Sequence, residues 1–98
     1  MERQKAISII ESKSEPFKKL GVTALFLYGS TARGEANADS DIDIFVDYDS
    51  KSHFSLFDLI EIKHVLEDET GIPVDVATRD GLHPRLRERI EQSAVRVF

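Results

Sequence analysis

The sequence predicts an α/β (α+β) domain in which helices cover mainly one face of a small mixed β-sheet. Three observations carry this expectation. Runs rich in β-branched and aromatic residues at Val22 to Tyr28, Asp41 to Asp47 and Ile72 to Thr78 read as strands. Between the second and third, Ser55 to Thr70 sets Leu56, Leu59, Ile60, Ile62, Val65 and Leu66 among charged residues at helical spacing. Glycine or proline marks the junctions, at Gly21, Gly29, Gly71, Pro73 and Pro84.

Taken in order, Glu2 to Ser12 repeats Ala6, Ile7, Ile9 and Ile10 on a helical period and stops before Ser14-Glu15-Pro16. Ser14 is placed to cap a second short helix; Pro16 fits its first turn, where a missing N–H is no loss, and Gly21 ends it. In the second strand Ile42, Ile44 and Val46 point to one face, and Asp41, Asp43, Phe45 and Asp47 to the other. The third strand carries Pro73 near its start, where proline is tolerated. Pro84 to about Ala94 closes the chain as a helix, with Leu82, Leu86, Ile90 and Ala94 four apart and His83 helping to start it.

Composition narrows the function classes. A chain of 98 residues supports one core, so residues 1–98 are expected to form a single domain. The 41% hydrophobic and 32% charged residues are those of a folded chain. No apolar run approaches the roughly 20 residues that cross a bilayer. Met1 leads into Glu2, Arg3 and Gln4 rather than a basic and then apolar leader, so a cytoplasmic protein without membrane attachment is expected. Absent cysteine excludes disulfides and thiolate zinc, and His53, His64 and His83 lack ligand spacing. A net charge of −5 argues against direct, stable nucleic-acid binding, which draws its affinity from lysine and arginine on phosphates.

The first strand runs straight into Gly29-Ser30-Thr31-Ala32-Arg33-Gly34. Glycine there permits a sharp exit and close approach by a ligand, and the free N–H groups of a helix start suit a phosphate, with the Ser30 hydroxyl beside them. Alone, such a Gly-Ser pair is an ordinary turn. Asp41 and Asp43 lie two apart on one strand, so both carboxylates leave the same face with backbones about 6.5–7 Å apart. Such a pair can also sit harmlessly on a solvated sheet face. Asp75, mid-strand between Val74 and Val76, adds a third acid, and three carboxylates on neighbouring strands suit hard divalent cations, magnesium first and manganese second.

Gly29-Ser30, ten residues, then Asp41-Ile42-Asp43, together with Asp75, resembles the signature of the polymerase-beta-like nucleotidyltransferase superfamily. The stretch Leu27 to Val46, the Ser55–Leu66 helix, Pro73-Val74-Asp75-Val76 and the ending Leu82 to Arg89 resemble its minimal nucleotidyltransferases of prokaryotes. That resemblance implies the polymerase-beta-like fold and transfer of AMP from ATP to a tyrosine hydroxyl of a HEPN-domain ribonuclease toxin, which the chain would silence as its antitoxin. It implies that Gly29 and Ser30 hold the triphosphate, that Asp41 and Asp43 bind two Mg2+ ions, and that Asp75 completes the catalytic ion's site. Thr31 departs from the arginine frequent after Gly-Ser in relatives, which makes Arg33 the candidate phosphate contact, with a solvated helix position as the alternative.

Other features have plainer readings. Asp47 and Asp49 fall toward the strand exit and are read as solvated, and Asp39 and Ser40 as a turn leading into the catalytic strand. Arg85, Arg87, Arg89 and Arg96 make the chain's end locally basic, a contact surface for a protein partner or a solvated face. Because larger relatives add a helical domain to hold small-molecule or tRNA acceptors, the size favours a protein acceptor. Two alternatives stand beside transfer to the toxin: an antitoxin that masks its partner by stoichiometric contact, and transfer to a small molecule.

Overall fold

The computed structural model describes residues 1–37 and 40–98. Helices α1 (Arg3–Ser12) and α2 (Ser14–Leu20) precede β1 (Val22–Tyr28), which runs directly into a single helical turn, α3 (Gly29–Ala32). Then come β2 (Ile42–Tyr48), α4 (Leu56–Thr70), β3 (Val74–Thr78), a 3₁₀ turn (Arg79–Gly81), α5 (Pro84–Ser93) and β4 (Val95–Arg96). The sheet is mixed, in the order β3-β2-β1-β4, with β1 antiparallel to β2 and β4, and β2 parallel to β3.

Strand alternation decides which face is covered. Leu25 and Leu27 of β1, Ile42, Ile44 and Val46 of β2 and Val74 of β3 turn to one side, where Ala6, Ile10, Phe17, Ile62 and Leu66 from α1, α2 and α4 bury them. The other side carries Phe26, Tyr28 and Phe45, with ring centroids 4.7 Å apart for Phe26 and Phe45 and 5.8 Å for Tyr28 and Phe45. Helix α5 contributes no buried residue. Helices thus cover mainly one face, as expected.

Helix α4 starts where the sequence places it. Ser55 is its N-cap, and the Ser55 N–H donates to the Asp58 carboxylate at 2.8 Å. The same helix completes the outer edge of β3: Lys63 Nζ donates to the Val74 carbonyl at 2.8 Å, and Val74 N–H donates to Glu67 at 3.0 Å. These bonds satisfy groups that an edge strand otherwise presents for unwanted pairing. The Val74 N–H, and after it Lys63, hold the Glu67 carboxyl below the usual carboxylate range.

Several boundaries differ from expectation. Ser14 is not a cap: the only residue between α1 and α2 is Lys13, whose carbonyl accepts from Phe17 N–H, so Ser14 is already helical. Strand β2 begins at Ile42, leaving Asp41 just outside it, and β3 begins at Val74, while the Pro73 carbonyl accepts from Ile42 N–H at 3.0 Å. Strand β4 was not expected; two residues are too few to show a period, yet it pairs with Phe26 and Leu27, and its ladder extends through Val97 N–H to Leu25 at 2.8 Å.

One side chain fastens the open face. Arg79 donates through Nε and Nη2 to both oxygens of Asp47, at 2.8 and 3.0 Å, and through Nη1 to Glu91 of α5 at 2.8 Å. Its guanidinium carbon lies 4.8 Å from the Phe26 centroid and 5.0 Å from that of Phe45. Asp47 is therefore a structural partner, and Asp49 accepts locally from Lys51 N–H. A forked, planar cation suits both the two-oxygen pairing and the stacking. Arg79→Ala is expected to cost about 1–2 kcal/mol in urea unfolding, and Arg79→Lys to restore less than half of that. Full restoration by lysine would show that charge alone holds α5.

Candidate active site

The site begins where β1 ends. Gly29 has φ +75°, and a Cβ there would stand 2.5 Å from Asp43 Oδ2. Only glycine combines that backbone with so close an approach of a carboxylate. The exit of β1 and the first half of β2 are consequently pressed together, and Ser30 follows with a hydroxyl that makes no hydrogen bond among the described residues.

Register across the strands builds the rest. Tyr28 pairs with Asp43, and Asp43 with Asp75, so a phenol and two carboxylates form one row on the open face. Asp41 stands exposed one residue before β2, near enough to act on Asp43 electrostatically. Burial, then Asp75, then Asp41 raise the Asp43 carboxyl above its ordinary value, against a smaller lowering by Arg33. The Tyr28 phenol is pushed up to about 12, by burial first and then by Asp43 and Asp75. No hydrogen bond or ion pair to Asp41, Asp43 or Asp75 forms among the described residues. Among the described residues Arg33 alone offsets the charge around Asp43, and its own Nε donates to Glu35 at 3.1 Å.

This donor set fits hard divalent cations: carboxylate oxygens only, mutually repelling, on one face. Among the described residues no three His, Cys, Asp or Glu side chains stand at the spacing that holds one ion without help. Magnesium characteristically takes one or two carboxylates and completes its shell with water and substrate phosphate oxygens, so the fit does not require a closed protein cage.

The structure thus brings Gly29, Asp43 and Asp75 into direct association, sets Asp41 and Arg33 at their border, and leaves Ser30 beside them. Asp39 lies outside the described residues. Thr31 is turned inward at 1% exposure, which makes it a packing residue rather than a substitute for a ligand-binding arginine. Two features escaped sequence reading. Tyr28 was legible in principle, since it alternates with Phe26 onto the face opposite Leu27. Leu86 and Ile90, read only as apolar positions four apart on α5, line an open cleft of about 670 Å3 beside Tyr28, Gly29 and Arg33, with Leu86 48% exposed.

Two stability measurements test this electrostatic and packing description. With its folded-state value raised from the ordinary 3.8, Asp43 binds its proton more tightly folded than unfolded. Its ionisation therefore costs nothing below the unfolded value, and the cost grows as pH rises through the folded one. Asp43→Asn should be more stable than the parent by about 0.5–1 kcal/mol at neutral pH, with the difference vanishing in acid. A constant difference across pH would reject the repulsion. The buried Thr31 Oγ1 lacks a hydrogen-bond partner, so Thr31→Val should raise stability by about 1 kcal/mol; a loss in urea unfolding would mean that the hydroxyl is partnered.

Comparison with known proteins agrees with the geometry. Residues 5–97 match the family model described as nucleotidyltransferase domain. The chain is 43% identical over 80 residues to a Methanocaldococcus jannaschii protein provisionally named a protein adenylyltransferase, covering 82% of this chain and 84% of that one. It is 34% identical over 85 residues to the protein adenylyltransferase MntA of Thermococcus cleftensis, covering 87% and 84% respectively. A solved structure provisionally described as a minimal nucleotidyltransferase superposes with a TM-score of 0.81 at 33% identity, covering 97% of this chain and 95% of that one. A toxin–antitoxin crystal structure with AMP-PNP shares the fold, with a TM-score of 0.71 at 19% identity, covering 90% and 72%. With a mixed sheet that sets Asp43 against Asp75 beside a strand-ending glycine, and with relatives matched along most of its length, the chain belongs to the nucleotidyltransferase domain family.

Proposed function

We propose that the chain transfers AMP from ATP to a tyrosine hydroxyl of a HEPN-domain ribonuclease toxin, for which it acts as antitoxin. The observation that carries the reading is the unneutralised carboxylate row, Asp43 opposite Asp75 with Asp41 at its border, pressed against Gly29. Relatives named protein adenylyltransferases supply the group transferred and the protein acceptor.

In this mechanism the backbone at Gly29 and the free Ser30 hydroxyl receive the triphosphate, and Arg33 adds a cation to its phosphates. Asp41 and Asp43 would hold two magnesium ions, or manganese, and Asp75 would complete the site of one of them. When bound, these ions activate the acceptor oxygen and neutralise the leaving pyrophosphate. The acceptor oxygen bonds to the α-phosphorus, the α–β bridging bond breaks and pyrophosphate departs. Asp75, an exposed carboxylate of the row, would take the phenolic proton. Tyr28, held protonated well above neutral pH, is not itself the acceptor.

A second reading, silencing by contact alone, is favoured by one observation. Leu56, Phe57 and Ile60 on the first turns of α4 are 68, 81 and 40% exposed, an apolar surface that a protein partner can cover.

The deciding experiment incubates the chain with ATP, Mg2+ and the toxin-like product of its neighbouring gene and records the neighbour's mass. Transfer adds one or more AMP units, and the Asp41→Asn, Asp43→Asn double variant should reduce it at least a hundredfold while remaining folded. An unchanged neighbour mass with the parent chain overturns the enzymatic reading for that pair. Full neutralisation by the double variant selects masking by contact.

A further inference from the structure

Helix α5 presents its apolar stripe to solvent rather than to the core. Leu86, Arg89, Ile90 and Ser93 follow one another at helical steps of three and four, so they share one face, and that face lines the cleft whose other wall is Tyr28, Gly29 and Arg33. Its volume of about 670 Å3 is that of a small-ligand pocket. The two ends of the cleft differ in chemistry. At one end it is lined by Arg33 and by Gly29, the glycine that Asp43 approaches; along α5 it is walled by two branched aliphatic side chains. Arg89 also lines the cleft and makes no ion pair among the described residues, unlike Arg87 and Arg79, which both engage Glu91. Gln92 adds an amide, one group able both to donate and to accept.

An occupant that pairs with Arg33 and Arg89 is anionic at one end, one that covers Leu86 and Ile90 is largely apolar at the other, and Gln92 calls for hydrogen-bonding groups at its rim. A nucleotide meets all three requirements. A tyrosine-bearing peptide segment lacks the negative charge that an unpaired Arg89 beside Arg33 calls for. We infer that this cleft seats the nucleoside half of the nucleotide, with its base against Leu86 and Ile90 and with Arg89 reaching the phosphate chain. The inference rests on the nucleotidyl-transfer reading and adds to it the specificity wall, which α5 supplies and the motif residues do not.

The test compares two probes in the presence of Mg2+ by calorimetry: ATP, and inorganic tripolyphosphate, which has the charge and no nucleoside. Leu86 and Ile90 lie outside the core, so the Leu86→Ser, Ile90→Ser double variant should keep the fold, as circular dichroism verifies. It should bind ATP about tenfold more weakly, as expected for losing apolar contact worth a single side chain, while tripolyphosphate affinity stays within twofold. Arg89→Ala should weaken both probes. Equal ATP affinity in the double variant and the parent overturns the inference. So does unchanged ATP affinity with lost transfer to the protein acceptor, which would assign the cleft to the acceptor. A parent chain that binds neither probe removes the nucleotidyl-transfer reading itself, and this inference with it.

Discussion

A slip of one residue between β2 and its neighbours would turn Ile42, Ile44 and Val46 to solvent and drive Asp43 into the core, because side chains alternate with a period of two. The apolar face beneath α1 and α4 therefore enforces the register that sets Tyr28, Asp43 and Asp75 in one row on the other side. Core and site are the two faces of the same pairing. The edge of that arrangement is held in the same way: Lys63 and Glu67 of α4 occupy the outer backbone groups of Val74, one residue before Asp75.

The site itself works against folding. Like charges opposed on adjacent strands repel, and no lysine or hydrogen-bond donor of the described residues relieves Asp43 or Asp75. Such a conflict is tolerated where a ligand resolves it, and a cation together with an anionic nucleotide does so with both signs of charge at once. Gly29 adds the steric half of the same constraint: its missing side chain lets Asp43 approach the backbone where β1 passes into α3.

How much of this was legible in the sequence follows the strength of each local signal. The three longer strands and α4 were readable because alternation, helical period and the Ser55–Asp58 start agree over many residues. The association of Gly29 with Asp43 and Asp75 was legible through the resemblance that Gly29-Ser30, the ten-residue spacing, Asp41-Ile42-Asp43 and Asp75 carry, while the strand order that brings them together was not. Strand β4 was not, since two residues carry no periodicity, and the Ser14 cap failed because α1 and α2 are nearly continuous through Lys13. Leu86 and Ile90 were legible only as an apolar stripe, which records that a helix faces something and cannot say whether that is a core or a cleft. Arg79 left no sequence signal at all, because its partners Asp47, Glu91, Phe26 and Phe45 are assembled only by the tertiary fold.

The attachment of α5 has a mechanical side. Its approach is secured ahead of the helix by buried Leu82, but along its length it is tied to the sheet through Glu91 and Arg79 rather than by buried hydrocarbon. Ion pairs at a partly exposed site are screened by salt, whereas apolar contacts are not. The cleft wall is in this sense a charged latch on a rigid plate: rising ionic strength is expected to loosen its attachment and to leave the packing of the sheet beneath unchanged.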